Sequence, residues 1–158
     1  MPKRPLTKQE VLYRMEALCS RAEQAPADVR QKIARLGLPA DEAEKVMRQL
    51  VQNNYLNEAR YAAAFTHDKL QFEGWGRIKI AYRLKMKGIS QDAINAALAN
   101  IDEEAYISTL QKCLLAKAKT LAGKTPIEAK AALVRFAASR GFEQNMIFKH
   151  ISIPDSDD

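Results

Sequence analysis

The sequence predicts an all-α protein built as an elongated tandem array of three three-helix repeats. The first observation is a glycine that returns at nearly even spacing, since Gly37 and Gly88 are 51 positions apart and Gly88 and Gly141 are 53 apart. The second is composition: 158 residues contain only six glycines and six prolines, and strand-like alternation of apolar and polar residues is hard to find. Self-similarity at a period near 50 residues indicates a repeat protein.

Apolar positions map onto apolar positions when the three glycines are superposed, which is the third observation. The corresponding sets are Val29, Ile80 and Leu133; Ile33, Leu84 and Ala137; Leu38, Ile89 and Phe142; and Ala43, Ile94 and Ile147. Repeat units share cores only with their neighbours. We therefore expect an elongated chain that acts through its surface rather than through a deep pocket.

The first repeat is assigned to residues 1–56. Its predicted helices span 7–24, 27–36 and 39–53. Thr7 and Glu10 form a capping-box pattern, in which the hydroxyl accepts a backbone N–H and the carboxylate reaches back. Asp41 and Glu42 favour the positive end of the third helix.

The second repeat is assigned to residues 57–101. Its predicted helices span 57–72, 76–87 and 90–100. Asn57 and Ser90 are the expected N-caps, because both residue types accept hydrogen bonds from the first free backbone N–H groups of a helix. Gly74 and Gly76 mark a break directly before the middle helix.

The third repeat is assigned to residues 102–153. Its predicted helices span 103–122, 125–139 and 142–151. Thr125 and Glu128 repeat the capping-box pattern, with Pro126 at the first helical position, where its missing N–H costs nothing. Pro154 breaks the last helix, so residues 154–158 are expected to form a disordered acidic tail.

Positive charge is concentrated in the second repeat. The net charge of the chain is +6, and between positions 69 and 87 six basic residues face only Glu73. The six are Lys69, Arg77, Lys79, Arg83, Lys85 and Lys87. Lys79, Arg83 and Lys87 are spaced i, i+4 and i+8, which predicts one row along a helix. Such a row can contact phosphates or an acidic protein surface, and the alternative is an ordinary solvated face.

Trp75 lies beside these cations, in the break before the basic helix. A tryptophan there can stack on a nucleic-acid base or be buried in a partner, or it can pin the loop onto its own core. Tyr61 and Phe65 are one helical turn apart and are predicted to be packing residues. No platform of several stacking aromatic residues is evident.

Several classes of protein find little support. The beginning of the chain has no apolar segment of the kind a signal peptide needs, and no apolar run approaches the roughly 18 residues of a membrane span. We therefore expect a cytoplasmic protein with no membrane partner. Cys19 and Cys113 have no metal-like spacing to each other or to His67 and His150, so both are predicted to be small buried residues and no metal site is expected.

An enzyme is not expected, and no cofactor is implied. His67 and Asp68 are adjacent, which on a helix points them about 100° apart, so they do not form a catalytic base and its orienting partner. The segment Gly74-Trp75-Gly76 lacks the third glycine and the preceding strand of a phosphate-binding loop.

A group of residues in the second repeat carries a family resemblance. They are Tyr55-Leu56-Asn57-Glu58-Ala59-Arg60-Tyr61-Ala62, Phe65, Lys69, Gly74-Trp75-Gly76, Lys79-Ile80 and Leu84-Lys85-Met86-Lys87-Gly88-Ile89. Together they closely resemble the central segment of RecX, the family of bacterial regulators of the RecA recombinase. Two residues depart from the family pattern: an acidic residue commonly stands where Arg83 does, and an Asp commonly stands where Asn57 does.

The resemblance implies a regulator without catalytic residues. RecX-like proteins bind RecA and RecA–ssDNA filaments and inhibit filament extension, ATP hydrolysis, strand exchange and coprotease activity. The expected contact surface is Lys69, Arg77, Lys79, Arg83, Lys85 and Lys87, with Arg60 and Trp75 as second choices. We expect a monomer, and direct binding to DNA stays open, as does the choice between capping a filament end and lodging in its groove. The alternative is an independent DNA-binding helical protein.

Overall fold

The computed structural model describes residues 4–151, and over that range the chain forms nine α-helices and no strand. The helices are α1 (Lys8–Arg21), α2 (Pro26–Arg35), α3 (Ala40–Gln52), α4 (Glu58–Gln71), α5 (Arg77–Met86), α6 (Gln91–Ala99), α7 (Glu103–Ala118), α8 (Pro126–Ser139) and α9 (Gln144–His150). The all-α prediction is confirmed for the described residues. The largest difference in bounds is at α7, which ends at Ala118 rather than at position 122. The predicted acidic tail, 154–158, lies outside the described residues.

The three recurring glycines end helices in the same way. Gly37, Gly88 and Gly141 have φ angles of +84°, +78° and +94°, in the left-handed region that glycine enters without steric cost. Each donates its N–H to the carbonyl three residues earlier, at 3.0 Å in all three cases. The repeated motif is therefore a repeated helix-terminating turn.

The superposed apolar positions are all buried. The twelve residues of the four sets that begin with Val29, Ile33, Leu38 and Ala43 are each 9% exposed or less. The apolar register predicted from the sequence is therefore the register of the cores. The division of the chain into repeats at 1–56, 57–101 and 102–153 stays a prediction.

Contacts between Cα atoms divide the chain into two compact units. The first unit takes the described residues up to Ala64 together with Leu84–Ala96. The second takes Phe65–Arg83 together with the described residues from Ala97 onwards. The boundaries fall inside α4, α5 and α6, so each of these helices contributes residues to both units.

The first unit has its core where α1, α2 and α3 pack together. Val11, Val29, Ile33, Val46 and Leu50 have no exposed surface. Burying such a side chain stabilises the folded state by about 1.5–3 kcal/mol relative to leaving it in water, before the entropy of ordering it is counted. These five residues therefore anchor the three helices to one another.

The second unit has its core where α7, α8 and α9 pack together. Tyr106 and Phe142 are at its centre, with ring centroids 5.4 Å apart and planes inclined at 52°. Leu110, Ala137 and Ile147 surround them and have no exposed surface. This core holds the segment that leads into α5.

The predicted N-caps are confirmed. Thr7 accepts the backbone N–H of Glu10 at 3.1 Å, and Asn57 and Ser90 each accept the N–H three residues on, at 3.0 and 3.3 Å. Thr125 and Glu128 form the reciprocal capping box. Each cap is worth about 1 kcal/mol and fixes where its helix begins.

Cys19 is buried, as predicted, whereas Cys113 is only half-buried, and burial raises the pKa of both thiols. Across positions 4–151 no three His, Cys, Asp or Glu residues come together in a group able to hold a metal ion. In the same part of the chain, no helix has the length and apolar character needed to cross a membrane.

Candidate functional site

The beginning of α5 is held by backbone and side-chain acceptors of the second unit. The N–H of Gly76 donates to the carbonyl of Arg140 at 2.8 Å, and the N–H of Ile78 donates to the carbonyl of Gly141 at 2.9 Å. The N–H of Arg77 donates to the hydroxyl of Tyr106 at 3.0 Å. The first N–H groups of a helix have no partner inside it, so these three bonds satisfy groups that α5 cannot satisfy itself.

The two chain segments touch at glycines. A Cβ atom added at Gly76 would overlap the carbonyl of Gly141, and a Cβ at Gly141 would overlap the backbone and Cβ of Lys79. Gly76 is buried in this contact. Only glycine at both positions lets the turn before α9 lie against the first turn of α5.

Arg77 is occupied by two carboxylates. Its Nη1 donates to Oε2 of Glu143 at 2.8 Å and its Nη2 donates to Oε2 of Glu103 at 2.5 Å. The guanidinium also lies over the ring of Tyr106, with Cζ 3.9 Å from the centroid. Burial works against the charged form, but the hydrogen bonds to Glu143 and Glu103 outweigh it and raise the pKa of Arg77. The structure gives this residue a positioning role, because it ties α5 to α7 and α9.

Glu143 completes this network as the N-cap residue of α9. It accepts hydrogen bonds from the hydroxyl of Tyr106 and from the guanidinium of Arg77. Burial raises the pKa of Glu143, but these two hydrogen bonds outweigh burial and the net shift is downward. Burial and the bond to Glu143 raise the pKa of the Tyr106 hydroxyl. Glu143 is therefore ionised and Tyr106 protonated over the whole neutral pH range.

Three cations converge on the ring of Trp75. The Nζ atoms of Lys79 and Lys69 lie 4.4 and 4.9 Å from the ring centroid, and Cζ of Arg83 lies 5.3 Å from it. Cations within about 6 Å of an indole centroid are attracted by its negative π face. Phe65 meets the same ring edge-on, with centroids 6.2 Å apart and planes at 66°. This contact agrees with the interpretation that Trp75 pins its loop.

The charges of this cation cluster, Lys69, Lys79 and Arg83, are not compensated. Among residues 4–151, no carboxylate lies within 4 Å of any of the three. Like charges held close together repel, so an anionic group placed among them is favoured. The cations also cover the indole ring, which leaves Trp75 poorly placed to stack on a base. The site is suited to binding a phosphate or a carboxylate.

Exposed apolar residues lie beside the cation cluster, and the sequence reasoning missed them. Ile78 and Tyr82 are 57% and 62% exposed, although both are large. They are four residues apart, so they form a row on α5 next to the row of Lys79 and Arg83. The available signal was an excess of apolar residues on α5. Ile80 and Leu84 already face the core, and they lie about 200° around the helix from Ile78 and Tyr82, respectively.

Two other predicted contact residues, Lys85 and Lys87, belong to the first unit. Lys85 is exposed and pairs with no carboxylate in the described part of the chain. Lys87 lies one residue beyond the end of α5 at Met86, and its place in the row of Lys79 and Arg83 stays a prediction. The Nζ of Lys87 lies 3.1 Å from both carboxylate oxygens of Asp28.

Arg60 also belongs to the first unit and is bound there. Its Nε lies 2.7 Å from Oε1 of Glu23, and its Nη2 donates to the carbonyl of Asn54 at 2.8 Å. The residue ties α4 to the segments that follow α1 and α3. Of the eight predicted contact residues, those with uncompensated charge are Lys69, Lys79, Arg83 and Lys85.

Comparison with known families identifies the same central segment. A family model described as RecX, second three-helix domain, matches residues 57–98. Regulatory protein RecX of Haemophilus ducreyi is 31% identical over 134 residues, which cover 85% of this chain and 85% of the relative. Regulatory protein RecX of Clostridium perfringens is 33% identical over 118 residues, or 73% of this chain. The chain spans about half the length of the clostridial relatives, 55% and 54%.

A solved structure shares the fold. The crystal structure of RecX from Lactobacillus salivarius superposes with a TM-score of 0.82 over 90% of this chain and 93% of that one. The sequence identity is 15%, so the similarity concerns the fold alone. The helical arrangement described above is therefore one that a crystal structure also contains.

Proposed function

This chain belongs to the RecX family, and on that premise we propose that it binds RecA and RecA–ssDNA filaments and inhibits filament extension. Reduced ATP hydrolysis, strand exchange and coprotease activity by RecA follow from a shortened filament. The relatives are named regulatory proteins, which agrees with the expectation of a regulator rather than an enzyme. We place this activity in the cytoplasm and assign it to the monomer.

The cation cluster is the single observation that carries the proposed contact. Three cations within 5.3 Å of one indole centroid, with no carboxylate partner in the described chain, form a preassembled site for an anion. Both components of a RecA–ssDNA filament can supply such an anion: RecA as an acidic side chain, and ssDNA as a phosphate. Arg and Lys groups held in place by a ring lose less rotamer entropy on binding than freely moving ones.

The apolar row of Ile78 and Tyr82 favours RecA itself over bare DNA as the main partner. Protein interfaces concentrate their binding energy in aromatic and arginine side chains surrounded by apolar contacts. Tyr82 is exposed and directly precedes Arg83 in the chain. We therefore propose that the contact surface comprises the cation cluster, Ile78 and Tyr82, all of which belong to the second unit, whereas Arg77, Lys87 and Arg60 support the fold.

The test is the ssDNA-dependent ATPase of RecA from the same organism, titrated with this protein. Binding to bare ssDNA is measured in the same buffer. Inhibition well below the concentration that coats bare DNA supports the proposal. Tight DNA binding without inhibition overturns it and favours an independent DNA-binding protein. The number of molecules needed per filament then distinguishes capping, which saturates at few, from groove binding, which grows with filament length.

A charge-reversal variant locates the contact. Lys79→Glu with Arg83→Glu is compared with Lys112→Glu and Arg135→Glu, which change one exposed Lys and one exposed Arg of the same unit by the same total charge. We expect the first variant to require at least roughly tenfold more protein for half-inhibition, since every 1.4 kcal/mol is tenfold. The control is expected to stay within about twofold. If both variants raise the half-inhibiting concentration equally, the contact with the filament does not depend on Lys79 and Arg83.

A further inference from the structure

A groove of about 440 Å³ lies between α1 and α2 in the first unit. Its rim carries four cations, Arg14, Arg21, Lys32 and Arg35, and its floor is aliphatic, with Leu18 and Leu36 half-buried there. The volume falls in the ~300–1,000 Å³ range of ligand sites in proteins. None of these residues belongs to the contact surface proposed above.

The rim cations have no acidic partners. In the described chain, none of the four forms an ion pair. The carboxylates one turn earlier on the same helix faces are already bound, since Glu10 pairs with Arg4 at 2.9 Å and Asp28 pairs with Lys87 at 3.1 Å. The groove is therefore positive on its rim and uncompensated.

Helix dipoles account for only part of this arrangement. Arg21 lies in the last turn of α1, and Lys32 and Arg35 lie in the last turn of α2, where cations stabilise the negative end of a helix by about 0.3–1 kcal/mol. That effect does not require the side chains to face one groove. Arg14 is in the middle of α1, where the dipole offers no such gain.

The chemistry of the groove identifies its ligand class. Nucleic acid bases bind to proteins by stacking on aromatic rings, and this groove is lined by none. An aliphatic floor between cations instead matches an amphipathic helix with leucine-like residues on one face and carboxylates at the edges. We propose that the groove between α1 and α2 docks an acidic, amphipathic segment of a partner protein.

The test uses the full chain and a labelled synthetic peptide, about 16 residues long, that forms a helix with leucines on one face and glutamates on the other. A scrambled peptide of the same composition is the first control. Affinity is measured by fluorescence anisotropy. The groove is expected to bind the amphipathic peptide at least roughly tenfold more tightly than the scrambled one, because only the former presents apolar and acidic groups together. Equal affinities overturn the proposal.

Matched charge neutralisations locate the site. The variant Arg14→Gln, Arg21→Gln, Arg35→Gln is compared with Lys8→Gln, Lys45→Gln, Arg48→Gln, which removes three charges from the same unit outside the groove. We expect at least a tenfold loss of peptide affinity for the first variant and less than about twofold for the second. Similar losses of peptide affinity in both variants would show that the peptide is held by long-range electrostatic attraction and not by a site in the groove. That result would overturn the proposal.

An exposed floor residue keeps the test independent of folding. Ala17 is exposed on α1, so Glu and Lys are both tolerated there. Ala17→Glu is expected to weaken peptide binding at least roughly tenfold, whereas Ala17→Lys, of similar size, is expected to preserve it. Equal weakening by both substitutions overturns the charge argument. Labelled oligothymidylate serves as the last probe: if its binding is lost in the groove variants while peptide binding is retained, the groove is a nucleic-acid site and the proposal fails.

Discussion

The guanidinium of Arg77 lies 2.8 Å from the carboxylate of Glu143, which joins the first residue of α5 to the N-cap of α9 across 66 positions of sequence. The partner charges are mostly shielded from water, since the two side chains are 22% and 27% exposed. The pair orients the helix that carries Lys79 and Arg83. The basic residues of α5 therefore serve two purposes: Arg77 holds the helix in position, and Lys79 and Arg83 provide uncompensated charge. Mutations can separate the two.

Arg77→Gln is expected to lower the free energy of unfolding by about 1–3 kcal/mol, because it leaves the Glu143 carboxylate partly buried without its cation. Urea unfolding followed by circular dichroism measures this change. Arg83→Gln, on the exposed side of the same helix, is expected to change stability by less than about 0.5 kcal/mol. If the two variants unfold alike, Arg77 does not have the positioning role assigned to it.

Stability should depend on the ionisation of Glu143. Its folded-state pKa is lowered from the ordinary value of a Glu, because hydrogen bonds from Tyr106 and Arg77 outweigh burial. The resulting stability is fully present above pH ~4.3 and is lost as pH falls through the folded-state pKa. The difference in urea midpoint between the wild type and Glu143→Gln should therefore shrink between about pH 5 and pH 3. A difference that stays constant over that range would contradict this assignment.

Two of the helix-ending glycines, Gly37 and Gly141, should differ in how much stability is lost when they are replaced by alanine. Gly37→Ala places a side chain in the left-handed region with no atom within 4 Å, so only the backbone cost of about 1 kcal/mol is expected. Gly141→Ala adds an overlap with the backbone of Lys79 and should cost about 3 kcal/mol or more. Melting temperatures of the two variants measure the difference. Comparable losses would show that the close approach at Gly141 relaxes easily.

Trp75→Leu should preserve the fold and weaken inhibition of RecA. The substitution keeps apolar bulk but removes the π face, and each of the three cations loses about 0.5–1 kcal/mol of attraction. We expect the half-inhibiting concentration to rise roughly threefold to tenfold, with an unchanged circular dichroism spectrum. Inhibition equal to that of the wild type would show that the ring does not organise the cation cluster.

The single tryptophan also reports on base stacking. Because cations cover its ring, adding oligothymidylate at low salt should change the emission of Trp75 only slightly, even if phosphates bind beside it. A fluorescence titration of the protein alone measures this. Strong quenching would mean that a base displaces the cations and stacks on the indole.

Local patterns in the sequence predict much of this fold. The apolar register that relates Val29, Ile80 and Leu133 depends only on helical spacing, and all three are buried. The N-caps at Thr7 and Thr125 were predictable for the same reason, since a cap hydroxyl and the backbone N–H that donates to it lie three residues apart. The observed ends of the helices differed more from the predicted ones, because the last turn of a helix depends on tertiary contacts.

The site was less predictable, because its determinants are distant in sequence. Nothing near Arg77 or Lys87 indicates that Glu143 and Asp28 neutralise them, at separations of 66 and 59 positions. Counting charges along the sequence therefore overestimated the number of basic residues that have no carboxylate partner. The exposure of Tyr82 was missed for a different reason. The recurring apolar positions Ile80 and Leu84 identify the core side of α5, but the repeat pattern gives no position to the apolar residues on the other side of the helix.

The hydrogen bonds at the beginning of α5 also set an order of events during synthesis. Gly76 precedes its acceptor, Arg140, by 64 positions. A ribosome adds roughly 5–20 residues per second, so the acceptors emerge several seconds after the helix that needs them. The core of α1, α2 and α3 can form in that interval. The first turn of α5 lacks its acceptors during that time, so a chain whose synthesis stops early would present its lysines on a helix without this support.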